Sequence, residues 1–198
     1  MLDEIRNIEN DIRLRPFMRK IISYDENLYV HSKNVAIISG YIAQQLKLHE
    51  ITLREIITGA LLHDIGKTYI PFSLINKPSY LTTTEFRYVK NHAGYGYELL
   101  KDFEFGDTVL DIVLHHHENE IGTGYPHHNT VMHLETKIIS VADKYEAIHS
   151  HRPYKQGFTH EETMNILCDC ELGKYCNVER IKEILTNFND IRLLERTE

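Results

Sequence analysis

The sequence predicts an all-α domain, and three observations carry that expectation. Apolar residues recur at three- and four-residue intervals through most of the 198 residues. No stretch alternates strictly in the manner of a half-buried strand. Three segments also have the Thr-x-x-Glu form in which a hydroxyl and a carboxylate together cap the start of a helix.

Taken in order, a first helix is expected from about Leu2 to a break at Pro16, with Ile5, Ile8 and Ile12 on one face. The next begins near His31 and carries Val35, Ile38 and Ile42 on the same side. Thr52-x-x-Glu55 starts a helix that reaches about Lys67. Residues Ile70 to Leu81, with Pro71 and Pro78, read as a connection, and so does Gly122 to His128, with two glycines and Pro126. Thr82-x-x-Glu85 and Thr159-x-x-Glu162 start two further helices, while Asp107 and Asn177 are simple caps for two more. The last of these, with Val178, Ile181, Leu185, Phe188 and Ile191, has an apolar face that suits either the domain's own core or the seam of a homodimer.

Composition narrows the function. Against 22 Lys and Arg stand 29 Asp and Glu, a formal charge of -7. A broad nucleic-acid surface needs clustered basic residues, so nucleic acid is not expected as a partner and any phosphate ligand should be small and held locally. The N-terminus lacks the organisation of a signal peptide, and no run approaches the roughly 18 apolar residues of a membrane span. A cytoplasmic protein without a membrane partner is expected. Cys168, Cys170 and Cys176 are read as reduced thiols. The unusual feature is 13 histidines, the residue type most used as a metal ligand.

Several of them fall on inward faces. Ile56, Ala60, His63, Asp64 and Lys67 form one stripe at helical spacing, so an apolar face ends in a His, an Asp and a Lys. Val109, Ile112 and Val113 lead one turn later to His116 and His117, whereas His115 follows Asp111 on the other side and is expected to be solvated. Val89 leads likewise to His92, Val35 places His31 inward, and Asp143 sits among Ile139, Ala142 and Ala147. Buried charge is normally paired or metal-bound, so these residues predict a polar cavity. Adjacent imidazole and carboxylate in His63-Asp64 allow the His to bind one metal while the carboxylate bridges to a second, with ligands that suit Fe, Mn, Zn or Ni. Seven candidate ligands exceed the four of a structural zinc site.

The stretch HDIGKTYIPFSLINKPSYLTTTEFRYVKNHAGYGYELL from His63, with HHENEIGTGYP from His116 and VADKYEAIHSHRPYK from Val141, resembles the HD-GYP group of HD-domain phosphohydrolases, bacterial phosphodiesterases of cyclic di-GMP. The resemblance implies an HD-domain helical bundle over about residues 25–175, preceded by a helical extension over 1–24 and followed by a C-terminal helix over 176–198. It makes His31, His63, Asp64 and Asp143 ligands of one divalent metal, with Asp64 bridging to a second held by His92, His116 and His117. Fe or Mn is the first expectation, with Zn or Ni as alternatives. Lys67 is to steady the scissile phosphate or the nucleophile, Arg152 and Lys155 to hold the ligand's phosphates, and Tyr125 to offer a packing surface to a base. The implied reaction is hydrolysis of cyclic di-GMP to pGpG or onward to GMP by a metal-activated hydroxide. An HD phosphohydrolase for another nucleotide or a phosphomonoester, and a weakly active cyclic-dinucleotide sensor passing its signal to a separate protein, are the alternatives. Two positions depart from the group's pattern. Ile121 stands where an acidic residue is usual, and Asn27 where some members have a Glu that binds a third metal, leaving Glu26 as the nearest carboxylate.

Overall fold

A computed structural model describes residues 2–150, 157–188 and 193–194. Its elements are α1 (Leu2–Glu9), α2 (Arg15–Tyr24), α3 (Glu26–Gln45), α4 (Glu50–Leu62), a 3-10 turn (Ile65–Tyr69), α5 (Phe72–Ile75), α6 (Thr83–Lys90), α7 (His92–Leu100), α8 (Asp107–His115), α9 (Leu134–His149), α10 (His160–Cys170), a second 3-10 turn (Leu172–Lys174) and α11 (Glu179–Thr186). No strand occurs among the described residues, so the all-α expectation holds.

Local chemistry explains where helices start, and some starts differ from the sequence reading. The boxes at Thr82 and Thr159 form as expected. Thr52 caps nothing: α4 begins a turn earlier, where the His49 ring accepts the Ile51 N–H. Gly106 stands at the cap of α8, and Asp107 lies in the first turn, where its charge suits the positive end of the helix dipole. Val178 stands at the start of α11, and Asn177 precedes it in the left-handed conformation. The first break also falls earlier, after Glu9. Pro16 opens α2 instead of ending α1, because a first-turn residue has no N–H to lose. Ile12 is 82% exposed in the intervening connection, and Leu14 is buried in its stead. Helix α3 begins at Glu26, capped by Asp25, so His31 lies in its second turn.

The core is one cluster. Helix α3 packs on α4 and α9, α4 on α8, and α7 on the first 3-10 turn. Val35, Ile38 and Ile42 are fully buried there with Ile56, Ala60, Ile112 and Ile139. Ile5, Ile8, Phe17 and Ile21 of the N-terminal helices join the same cluster. So do Ile181, Leu185 and Phe188, whose ring meets Tyr41 at 5.1 Å and Tyr145 at 5.8 Å. The apolar face of α11 is therefore spent inside the domain; Ile191 lies outside the described residues. No described helix is long and apolar enough to cross a membrane.

Candidate metal centre

Five segments deliver polar side chains to one buried place: α3 (His31), the end of α4 (His63, Asp64), the start of α7 (His92), the end of α8 (His116, His117) and α9 (Asp143). The turn after Asp64 lies directly on the start of α7. A Cβ at Gly66 would stand 1.9 Å from the His92 carbonyl oxygen and 2.5 Å from the Gly96 nitrogen, so only glycine lets the two ligand segments approach this closely. His63, Asp64, His92 and His116 are at most 1% exposed.

The ring orientations are set by backbone carbonyls. Nδ1 of His63 lies 2.7 Å from Ala60 O, that of His92 2.8 Å from Val89 O, and that of His116 3.0 Å from Val113 O. A carbonyl only accepts, so each Nδ1 carries the proton and each Nε2 presents a lone pair to the cavity. That is how metal-binding histidines are oriented. His63 Nε2 and Asp64 Oδ1 are buried without a hydrogen-bond partner. Nε2 of His92 and of His116 face each other at 3.3 Å, an unfavourable meeting of lone pairs unless a cation or proton lies between them. These donors, with lone pairs turned into the cavity, fit divalent cations.

Two groups of donors emerge, each with its ligand atoms within 4.8 Å of one another: His31, His63 and Asp64, and Asp64, His92, His116 and His117. Asp64 belongs to both. Its Oδ2 faces His31 Nε2 at 3.4 Å and His63 Nε2 at 3.5 Å, while Oδ1 faces His92 Nε2 at 3.2 Å. Asp143 stands beside the first group, with Oδ1 3.1 Å from His31 Nε2 and 3.9 Å from His63 Nε2. All seven candidate ligands are thus brought together. The electrostatics suit the roles. Burial, then the neighbouring imidazoles, hold His116 and His117 well below the usual histidine range, and burial lowers His63 too, so all three are neutral donors. Burial opposes ionisation of Asp64 and Asp143, but for Asp64 Lys67 and the imidazoles outweigh it, as His31 does first for Asp143, and both stay well below the carboxylate range. His31 is pushed up to about 10, burial being outweighed by Glu146, Asp143 and Asp64.

Around the cluster, Lys67 forms an ion pair with Asp64 Oδ2. Tyr125 lies with its ring 4.6 Å from that of His117, and Lys90 Nζ sits 4.8 Å from the Tyr125 centroid. Arg152 and Lys155 lie outside the described residues. His115 is turned away from the cluster but is not freely solvated: its Nδ1 lies 2.8 Å from Asp111 and Nε2 3.3 Å from His127. Asn27 stands one turn before His31 on α3, and Glu26 is exposed in the first turn.

Two buried carboxylates escaped the sequence reading. Glu146, fully buried, lies 2.5 Å from His31 Nδ1 and fixes that ring as the carbonyls fix the others. Its spacing of three from Asp143 on one helix was the available signal. Glu118, also fully buried, accepts the backbone N–H groups of His127 at 2.6 Å and Asn129 at 3.1 Å, and so anchors the loop that carries Tyr125. Gly124 lets that loop close down, since a Cβ there would meet Glu118 Cα at 2.4 Å.

A helical bundle closed around two histidine groups that share one aspartate defines a class of buried metal-centre proteins. The chain belongs to the HD domain family, whose model matches residues 16–175. It is 38% identical over 148 residues to the cyclic di-GMP phosphodiesterase PA4108 of Pseudomonas aeruginosa, covering 73% of this chain and 36% of that protein. To the cyclic di-GMP phosphodiesterase response regulator RpfG of Xanthomonas campestris it is 40% identical over 134 residues, 66% of this chain and 35% of RpfG. A cyclic di-GMP phosphodiesterase of Thermotoga maritima is 33% identical over 178 residues, 88% of this chain and 48% of that protein. The chain thus spans a third to a half of the length of these relatives. Among solved structures, the HD domain of L. monocytogenes phosphodiesterase PgpH in complex with cyclic-di-AMP superposes with a TM-score of 0.66 at 20% identity, over 90% of this chain and 99% of that one. These findings agree with the resemblance read from the sequence and establish the fold.

Proposed function

We propose that this chain is a metal-dependent phosphodiesterase that hydrolyses cyclic di-GMP to pGpG or onward to GMP. The observation that carries the reading is the single Asp64 carboxylate facing both histidine groups. In this reading His31, His63, Asp64 and Asp143 hold one divalent cation, and Asp64, His92, His116 and His117 hold a second, Fe or Mn before Zn or Ni. Bound there, the cations supply an activated water and neutralise charge on the phosphate oxygens. The chain's own part is mostly positioning. Lys67, whose ammonium rests on Asp64, is placed to exchange that contact for a phosphate oxygen of the substrate. Arg152 and Lys155 hold the ligand's phosphates, and the Tyr125 loop walls the groove and offers its ring as a packing surface to a base. The donor set itself supports the cations, because the imidazoles of His63, His116 and His117 are neutral and Asp64 and Asp143 are ionised. A signalling partner and a homodimer belong to the same proposal as ways to couple the activity to an input.

Another cyclic dinucleotide is the second reading. A 3'3'-cGAMP-specific phosphodiesterase of Vibrio cholerae is 33% identical over 139 residues, covering 69% of this chain and 30% of that protein. Protein loaded anaerobically with Fe or Mn is to be assayed on cyclic di-GMP, 3'3'-cGAMP, pGpG and a simple phosphomonoester. Preferred cleavage of cyclic di-GMP supports the first reading, preferred cleavage of 3'3'-cGAMP the second. Cleavage of the monoester alone contradicts both.

A further inference from the structure

Behind the metal ligand His31 runs a buried polar chain that ends at the far end of the sequence. Asn34, fully buried on α3, is three residues beyond His31, and its hydrogen bonds run to Glu146 and Leu194. Its Oδ1 accepts the Leu194 backbone N–H at 2.8 Å, and its Nδ2 donates to Leu194 O at 3.0 Å and to Glu146 Oε1 at 3.3 Å. Glu146 Oε1 also accepts the Ser150 hydroxyl at 2.7 Å, and Oε2 meets His31 Nδ1. Residue 194 thus presents both its backbone groups to one side-chain amide, in the pattern of two paired strands. The amide N–H of Leu194 can only donate. It therefore fixes which end of Asn34 faces outward, and so turns the amide's donor end toward Glu146.

We propose that Asn34 and the 193–194 segment are positioning elements of the metal centre: docking of the segment on Asn34 holds Glu146, and through it His31, in ligand geometry. Seating of this piece of chain then sets how tightly the His31 side of the centre retains its cation. The inference rests on the metal reading of the cluster but not on any substrate. Its location favours such a role. Leu193 packs only partly on the core and Leu194 is 38% exposed, so the segment can leave without opening the hydrophobic interior. Buried polar networks of this kind transmit the loss of one partner, because each remaining member is left with a group it cannot satisfy. Outer-shell partners of metal-binding histidines carry effects of about 10- to 100-fold on metal affinity.

The test is a cobalt(II) titration of the full chain, followed by the visible absorption of the bound ion, on the parent, Leu194→Pro, Leu194→Ala and Asn34→Ala. Leu194→Pro removes the N–H that Asn34 accepts and fixes the backbone at 194, whereas Leu194→Ala removes the side chain and keeps the N–H. The expected result is about tenfold weaker binding at one of two cobalt sites in Leu194→Pro and Asn34→Ala, with an altered band shape and the other site unchanged. Leu194→Ala should match the parent both in its cobalt constants and in its metal-free thermal midpoint. Unchanged cobalt constants in Leu194→Pro overturn the inference while leaving the metal centre intact. Equal weakening of both cobalt sites shows a general packing role and also overturns it. A parent chain that binds no cobalt removes the metal reading itself.

Discussion

His92 and His116 hold their Nε2 atoms 3.3 Å apart although they come from different helices, and each has its Nδ1 proton committed to a carbonyl of its own chain segment. Two lone pairs aimed at each other in a buried site destabilise the metal-free fold, and a cation between them removes that cost. Saturating divalent metal is therefore expected to stabilise the protein. At a free concentration about 100 times Kd, one site contributes about 2.7 kcal/mol, a rise of roughly 5–10 °C in Tm for a chain of this size. Thermal unfolding with manganese and with chelator checks this, and identical midpoints would count against the site.

Gly66 makes a second prediction. Gly66→Ala forces a Cβ into the His92 carbonyl, and the neighbour is backbone that cannot swing aside. The variant should lose about 1–3 kcal/mol of stability and should also bind the His92-side cation more weakly, because α7 is pushed off the turn. Urea unfolding and metal titration of the same protein separate the two effects. Parent-like values in both would show that the close approach is not maintained.

Glu118 separates the loop from the metals. Its carboxylate takes two backbone N–H groups of the Tyr125 loop. Glu118→Ala strands those donors at a cost of about 1–3 kcal/mol. The expected result is an unchanged metal content with a raised KM for cyclic dinucleotide. Loss of metal in this variant would contradict the assignment of Glu118 to the loop alone.

The metal-free protein should be most stable near neutrality. Burial holds His63, His116 and His117 below the ordinary histidine value of 6.5. The unfolded chain takes up protons that the fold refuses as pH falls below about 6.5, so stability drops there. His31 acts oppositely: with its pKa up at about 10, its contribution is complete below about 6.5 and is lost as pH rises toward 10. Asp64 and Asp143, held low, contribute throughout this range and are lost only in stronger acid. Urea unfolding of chelated protein from pH 5 to 10 should show a maximum at about 6.5–7. Stability that climbs steadily to pH 10 would contradict the charged state of His31.

Much of this was visible in the sequence, and for identifiable reasons. Apolar spacing turned His31, His63, His92, His116 and Asp143 inward, because a ligand on a core-facing helix must continue the apolar stripe of that helix. The boxes at Thr82 and Thr159 were legible since both partners of each box lie within four residues. The start of α4 was misjudged because a histidine ring at position 49 replaced the usual hydroxyl cap, and Ile12 because a break without glycine or proline precedes Pro16. Glu118 leaves no local pattern, because its partners, the backbone of residues 127 and 129, are set by tertiary packing; Glu146 shares a helix face with Asp143 three residues earlier, but its partner His31 comes from another helix.

The central claim is that Asp64 joins two cation sites in one centre. Elemental analysis of protein purified without oxygen, parent beside Asp64→Ala, tests it most directly. The account predicts about two Fe or Mn ions per chain in the parent, in line with two donor groups sharing a carboxylate, and loss of both ions in the variant. A parent with no more than one ion per chain, or an Asp64→Ala protein that keeps two, would contradict it.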